Sequence, residues 1–378
     1  MSYRYDAAFI KPGLNTLVQG TPSFSPYLYT WGNNFTGQLG LGDTTYRSSP
    51  NQVGALTDWL NVSGGYRVTA AIKNNGTLWT WGQNSTYGGL GLGDTTNRSS
   101  PVQVGALTNW KQVAPAVFWM VAVKTDGTLW SWGWNGAGQL GLGDTTNRSS
   151  PAQVGALTNW LTTTANYYSA YALKTDGTLW AWGQNNYGQL GDGTVTNRSS
   201  PVQIGALTNW LRISANTYNI AAVKTDGTIW TWGYNPYGGL GTGNTTNYSS
   251  PKQVGALTNW RIPAGGNYNT AAIKTDGTLW TWGYNNSGQL GLGNLTNRSS
   301  PVQVGALTDW TDVAVGREFM MGLKLNGLNG ALWAWGANSA GQLGLGNTTG
   351  RSSPVQVGSL TNWIAVSCGN YYTTALAY

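Results

Sequence analysis

Seven Trp-Gly dipeptides, Trp31-Gly32, Trp81-Gly82, Trp132-Gly133, Trp182-Gly183, Trp232-Gly233, Trp282-Gly283 and Trp335-Gly336, follow one another at steps of 50, 51, 50, 50, 50 and 53 residues. One unit of about 50 residues is written seven times. The chain therefore reads as a repeat array whose units stack into one continuous body. A residue used in every unit is scaffold first, so function is sought where the units differ.

Composition narrows the chemistry. Charged residues make up only 9% of the chain, against 55 glycines and 20 tyrosines, which suits short strands with Gly-rich turns rather than disorder. There is no histidine, which removes the usual general base, the commonest metal ligand and the Ser-His or Cys-His nucleophile pairs. The single cysteine, Cys368, excludes an intramolecular disulfide and a Cys-based metal cluster, and is expected in the last strand as a small apolar residue. Residues 1–15 hold no apolar core of a secretion signal, and no apolar run is long enough to span a bilayer. Neither Sec export nor membrane insertion is expected.

The net charge of +7 is spread out. Lys73, Lys124, Lys174, Lys224, Lys274 and Lys324 share one repeat position, and Arg47, Arg98, Arg148, Arg198, Arg298 and Arg351 share another. These read as two sparse rings at solvated turn positions, and nucleic acid is not an expected partner.

Within a unit, Asp126-Gly127 between two alternating apolar runs predicts a two-residue type I′ hairpin turn. Asp176-Gly177, Asp226-Gly227, Asp276-Gly277 and Asn75-Gly76 repeat it. Leu129-Trp130-Ser131-Trp132 alternates with the period of a half-buried strand, and no segment carries a helical period. The Gly-x-Gly spacing of Gly141 and Gly143 lacks a following helix and a Lys-Ser/Thr pair, so it is not read as a phosphate loop.

The pattern Ala122-x-Lys124-Thr125-Asp126-Gly127-Thr128-Leu129-Trp130-x-Trp132-Gly133-x-Asn135, followed by Gln139-Leu140-Gly141-Leu142-Gly143, resembles the repeat of the regulator of chromosome condensation family. Residues 38–42, 289–293 and 342–346 match the second part without gaps, and the resemblance covers about residues 27–378. It implies an all-β, seven-bladed β-propeller with four-stranded blades. The ends are complementary: residues 27–31 supply only the strand after the turn, and residues 363–378 only the strand before it. One blade is thus expected to be split between the termini, closing the ring and pairing its edges. Residues 1–26 do not match the repeat and are expected to form an extended arm that attaches the protein to a larger assembly, with 27–378 as the propeller.

Twenty of the 22 tryptophans fall on repeat positions; Trp119 and Trp134 do not. A two-residue turn at Asp126-Gly127 places these two opposite each other across the hairpin, in contact. The same register pairs Val68 with Gln83, Ser169 with Gln184, Asn219 with Tyr234, and Asn269 with Tyr284. It leaves Phe319 near Ala337 and Tyr372 near Asn33. In the resembled family the first member of each pair is typically histidine, and here it never is. Together with Phe118, Tyr167, Tyr168, Tyr218, Tyr268 and Tyr371, these residues predict a variable ring on the face away from the Asp-Gly turns. Aromatic residues of this kind dominate protein hot spots and also stack on sugars.

The acidic residues are nearly all used by the repeat; only Asp6, Asp312 and Glu318 are off-pattern. No catalytic residue and no cofactor is expected. The reading is a non-enzymatic structural or recognition propeller that binds protein or glycan through one face, such as a virion-surface or fibre-associated protein; a cytoplasmic location is the alternative. The alternative function is guanine-nucleotide exchange on a small GTPase. Exchange factors of the resembled family carry an inserted β-wedge, for which the 50–53-residue spacing leaves no room.

Overall fold

The computed structural model describes residues 26–378, except Ser85, Gly327 and Leu328. The expected arm, 1–26, thus lies outside the described residues but for Pro26. The described residues form 28 strands in seven four-stranded antiparallel sheets and no helix. One blade shows the plan. Strands β7 (Trp110–Pro115), β8 (Trp119–Lys124), β9 (Leu129–Gly133) and β10 (Arg148–Gln153) pair in that order from the axis outward.

The closing blade is shared. Strands β1 (Tyr27–Gly32) and β2 (Arg47–Gln52) come from one end of the ring sequence, and β27 (Trp363–Cys368) and β28 (Tyr372–Ala377) from the other. Their sheet order is β2-β1-β28-β27, with Tyr27 opposite Ala377 and Gly32 opposite Tyr372. Each end therefore contributes two strands. Cys368 ends the penultimate strand rather than lying in the last.

The hairpin differs from the two-residue turn. Val123 faces Leu129, Lys124 and Thr128 are joined by a backbone hydrogen bond, and Gly127 N–H donates to Lys124 O at 3.0 Å. The loop is thus the three residues Thr125-Asp126-Gly127. Gly127 alone takes the left-handed conformation, at φ 76°, whereas a type I′ turn needs two such residues. Asp126 Oδ1 accepts hydrogen bonds from the Thr128 amide and hydroxyl, and Thr128 Oγ1 accepts from Trp130 Nε1. The extra residue shifts the register by one. Trp119 stands opposite Gly133, not Trp134.

Adjacent blades lock together through the Gly-rich loops. Trp132 Nε1 donates to Gly89 O of the preceding blade at 3.1 Å, and Trp81, Trp182 and Trp335 bond Gln38, Gln139 and Gln289 carbonyls in the same way at 2.9 Å. A Cβ on Gly91 would stand 2.6 Å from Trp132 Nε1, so this close approach needs glycine. One blade departs: the Tyr171 hydroxyl donates to Gln189 O at 2.8 Å, and Trp232 Nε1 has no protein partner.

The repeated charges are not free rings. Lys124 Nζ lies 3.6 Å from the Trp130 ring centroid and 4.8 Å from that of Trp110, and the other five repeat lysines sit on the equivalent tryptophans. Such desolvated cation–π contacts contribute about 0.5–2 kcal/mol each. Arg47, Arg98, Arg148 and Arg198 pair with Asp43, Asp94, Asp144 and Asp192. The six lysines and these four arginines therefore serve the scaffold rather than standing as free turn cations, while Arg351 bonds the Thr349 and Gly350 carbonyls of its own turn.

Candidate recognition face

The one-residue shift sorts the expected ring into two layers. Val68, Trp119, Ser169, Asn219, Asn269, Phe319 and Tyr372 point between blades and are buried. Trp119, Phe319 and Tyr372 are thus supports rather than contact residues. Trp119 Nε1 donates to Tyr167 O in a loop of the next blade at 2.9 Å, and the Tyr372 hydroxyl donates to Val68 O at the start of a strand of the next blade.

The second layer lies on the face away from the turns. Phe118 and Trp134 both pack on Tyr87, at 5.5 and 6.1 Å between ring centroids. Trp134 continues onto Tyr168 at 5.3 Å, and Tyr168 onto Tyr167 and Tyr218. Tyr187 bridges Tyr218 to Tyr234, and Tyr237 bridges Tyr268 to Tyr284. Tyr218 and Tyr268 stack at 6.1 Å with 25° between planes. The expected Phe118, Trp134, Tyr167, Tyr168, Tyr218, Tyr234, Tyr268 and Tyr284 are thereby joined into one half-exposed aromatic band. Tyr371 stands apart, under the Arg317 guanidinium at 5.3 Å. Burial pushes the Tyr218 hydroxyl up to about 12, with its tyrosine neighbours adding to the shift.

Tyr87, Tyr187 and Tyr237 were missed by the sequence reading. They share one position in the outer loop, held by Ala137, Ser287 and Ala340 in other blades, so the same comparison of units would have found them. Tyr268 has a left-handed backbone, at φ 65°, an unusual conformation for a bulky side chain. Costs of roughly 1–3 kcal/mol attach to such residues, and they collect at functional sites.

The band runs along one side of the mouth of an axial channel of about 220 Å³. Its wall is made by the innermost strands, β3 (Trp59–Gly64), β7, β11 (Trp160–Ala165), β15 (Trp210–Ala215), β19 (Trp260–Gly265), β23 (Trp310–Val315) and β27. Small residues such as Ser63, Ala114, Ser214 and Cys368 keep it open. Tyr167 crosses the mouth and meets Tyr66 of the blade beyond its neighbour at 5.5 Å. Burial raises its hydroxyl well above the ordinary tyrosine value, Tyr66 adds to this, and Arg317 opposes it.

Arg212, Asp312 and Arg317 are the charged residues that line the channel, whereas Lys111 and Arg261 stand on innermost strands outside its lining. The seven innermost strands carry Lys111, Arg212, Arg261 and Asp312 as their only charged residues. The rim adds Arg67, Arg317 and Glu318. Arg67 lies over Tyr66 at 5.4 Å, and Arg317 Nε is 3.9 Å from Glu318, whose other oxygen accepts from Ser287 Oγ. Lys111 Nζ donates to Leu161 O at 3.0 Å. Burial lowers the Lys111 and Arg261 values, with Asp312 opposing the shift at Arg261. The three inner cations were missed, although they too are off the repeat.

A closed ring of seven near-equal four-stranded blades, one face of which is varied by aromatic residues, defines a seven-bladed repeat propeller. The Regulator of chromosome condensation (RCC1) repeat matches residues 27–72, 75–117, 126–165, 176–223, 226–273, 276–323 and 329–376, and the chain belongs to this family. It is 38% identical over 114 residues to the ultraviolet-B receptor UVR8 of Arabidopsis thaliana, covering 29% of this chain and 26% of the receptor. It is 32% identical over 116 residues to the human E3 ubiquitin-protein ligase HERC2, covering 28% of this chain and 2% of the ligase. The chain thus spans only a minor part of the length of these relatives. Among solved structures, human WBSCR16 superposes with a TM-score of 0.82 at 20% identity, over 93% of this chain and 99% of that one. Yeast RCC1 (Prp20), solved bound to Kap60, gives 0.83 at 18% identity, over 100% and 94%. These two likenesses show the shared fold.

Proposed function

We propose that this propeller is a non-enzymatic protein-recognition module whose contact surface is the aromatic band around the channel mouth. The observation that carries the reading is the collection of off-repeat aromatic residues on that face, where rings from five blades form one connected surface. The opposite face instead presents the same half-exposed leucine in every blade, Leu56 through Leu360. Large rigid rings with polar tips supply contact area at low conformational cost, as protein interfaces require. A protein of the same fold supports a protein partner: yeast RCC1 (Prp20) has been solved bound to Kap60 and studied for its binding to Gsp1p and histones.

A photo-cross-linking residue placed at Tyr218 should label a discrete protein species in native cell extract, while one at Leu207 on the opposite face should not. Equal labelling from both positions would overturn the proposal. Binding to a glycan array by the parent, with no protein labelled from Tyr218, would replace it with the glycan reading.

A further inference from the structure

We infer that the outer flank of three consecutive blades, those ending in β18 (Tyr248–Gln253), β22 (Arg298–Gln303) and β26 (Arg351–Gln356), is a cationic docking surface for an acidic stretch of the partner polypeptide. The inference rests on the reading of the aromatic band as a protein-recognition surface, and adds the chemistry of what is recognised beyond its edge.

The charges of the outer strands and the loops before them divide the ring into two arcs. In four blades the arginine is matched by an acid: Arg47 by Asp43, Arg98 by Asp94, Arg148 by Asp144 and Arg198 by Asp192. In the other three, Asn244, Asn294 and Asn347 take the acid's place, while Lys252, Arg298 and Arg351 stand on the outer strands. Residues 234–253, 284–303 and 337–356 contain no acid at all. One arc is thus neutral, and the other carries three positive charges. The turn does not require the exchange. Asn294 Oδ1 accepts from the Thr296 amide at 3.0 Å, as Asp94 Oδ1 accepts from that of Thr96 at 2.8 Å. Asparagine keeps the turn bond and removes only the anion.

The three cations form one surface. Among the described residues no acid pairs with Arg298 or Arg351, and Arg298 Nε has no hydrogen-bond partner. Lys252 is exposed, 6.0 Å from the Tyr248 ring. Gly243 N donates to Ser299 O and Gly293 N to Ser352 O, each at 2.8 Å, so the loop holding each asparagine abuts the arginine-bearing strand of the next blade. Leu295, 58% exposed, lies in the middle loop, where other blades have Thr44, Thr95, Thr145 and Thr245. The arc also begins where the aromatic band ends: Arg298 stands opposite Gly283, the residue before Tyr284. A field of one sign selects a partner of the other. Arginine's planar fork matches a carboxylate in two parallel bonds. The leucine among the cations offers an apolar contact that a phosphate backbone has no group to match, which favours an acidic polypeptide over nucleic acid.

The test titrates capped, amidated peptides into the full chain by calorimetry at low ionic strength, where such attraction is least screened. They are three tandem copies of Glu-Asp-Leu-Glu, of Gln-Asn-Leu-Gln and of Lys-Arg-Leu-Lys, with oligothymidylate in parallel. The acidic peptide should bind at least tenfold more tightly than either other peptide or the oligonucleotide. The double variant Asn294→Asp/Asn347→Asp supplies the acids that the neutral arc carries, so it should fold as the parent does and weaken the acidic peptide by about tenfold. Arg298→Gln/Arg351→Gln should weaken it as much, and Leu295→Thr by severalfold. Asp94→Asn, on the neutral arc, should not weaken it. Equal binding of the acidic and amide peptides would overturn the inference, as would indifference to the double Asp variant. Tighter binding of oligothymidylate, lost in that variant, would give the arc to nucleic acid and overturn it too. If cross-linking from Tyr218 succeeds while the acidic peptide fails, the arc inference falls and the recognition face stands. If the acidic peptide binds through the arc while Tyr218 labels nothing, the reading of the band falls and the arc stands alone.

Discussion

Tyr66 and Tyr167 meet edge to face, 5.5 Å between ring centroids, although an entire blade lies between theirs around the ring. Only side chains leaning over the axis can do this. The pair therefore forms a lintel across the channel mouth, and Cys368 lies on the wall below it. Burial pushes the Cys368 thiol well above its usual range. Tyr167→Ala should open the mouth and accelerate labelling of Cys368 by iodoacetamide, with the rate followed by mass spectrometry. A double-mutant cycle of Tyr66 and Tyr167 should return a coupling of about 0.5–1.5 kcal/mol. An unchanged labelling rate would mean that the pair does not control entry.

The two off-repeat tryptophans should separate in their effects. Trp119 is wholly buried and holds the Tyr167 carbonyl, so Trp119→Ala should cost about 3–5 kcal/mol of stability. Trp134 lies on the surface between Tyr87 and Tyr168, so Trp134→Ala should spare the melting temperature and cost roughly 2–4 kcal/mol of partner binding. Denaturant unfolding and titration of the cross-linked partner measure the two quantities. A stability loss at Trp134 matching that at Trp119 would remove it from the contact surface.

Acid should destabilise the ring through its turns. Asp126, Asp176, Asp226 and Asp276 lie below the ordinary carboxylate value of 3.8, first because the threonine two residues on donates its hydroxyl, then its amide. The folded values are depressed, so this stabilisation is present above the unfolded value and is lost as pH falls through the folded ones. Stability should decline below about pH 4. Asn75 makes the same two bonds to Thr77, at 3.1 and 2.7 Å, without an ionisable group. A fourfold Asp→Asn variant should therefore match the parent at pH 7 and lose stability less steeply in acid. An identical acid slope would place the loss elsewhere, in the Asp–Arg pairs of the outer strands.

Closure can be tested by truncation. Removing residues 364–378 takes away β28 and most of β27, leaving β1 as an open edge beside exposed interblade surface. Aggregation or a large fall in melting temperature is expected. A monomer of undiminished stability would refute the role of the shared blade.

Removal of residues 1–20 should leave the melting temperature unchanged, because none of the 28 described strands includes them, and should abolish incorporation into a parent assembly if that segment is the attachment arm. Normal incorporation of the shortened chain would count against the arm.

Blade number, closure and the variable face were legible in the sequence, because the Trp-Gly spacing and the unmatched ends permit one arrangement. The hairpin register was not. Asp-Gly serves a two-residue or a three-residue loop equally well, and a shift of one residue turns every side chain to the other side of the sheet. That shift moved Trp119 from the face to the interior. It left Trp134 in place, because Trp134 lies past the end of its strand. Tyr87, Tyr187 and Tyr237 belong to a different loop of the repeat, which hairpin pairing does not address. Lys111, Arg212 and Arg261 sit on the innermost strands of three different blades, a placement that exists only once the ring is closed.

The split blade also sets how the ring responds to force. Tyr27 and Ala377 lie side by side at the same end of an antiparallel pair, so tension applied through the two chain ends bears on one rung of the β1–β28 ladder at a time. Such a ladder unzips, rather than shearing with all its bonds loaded at once. A ring that heat must melt as a whole would thus part at one seam under a gentle pull, with the six continuous blades still folded.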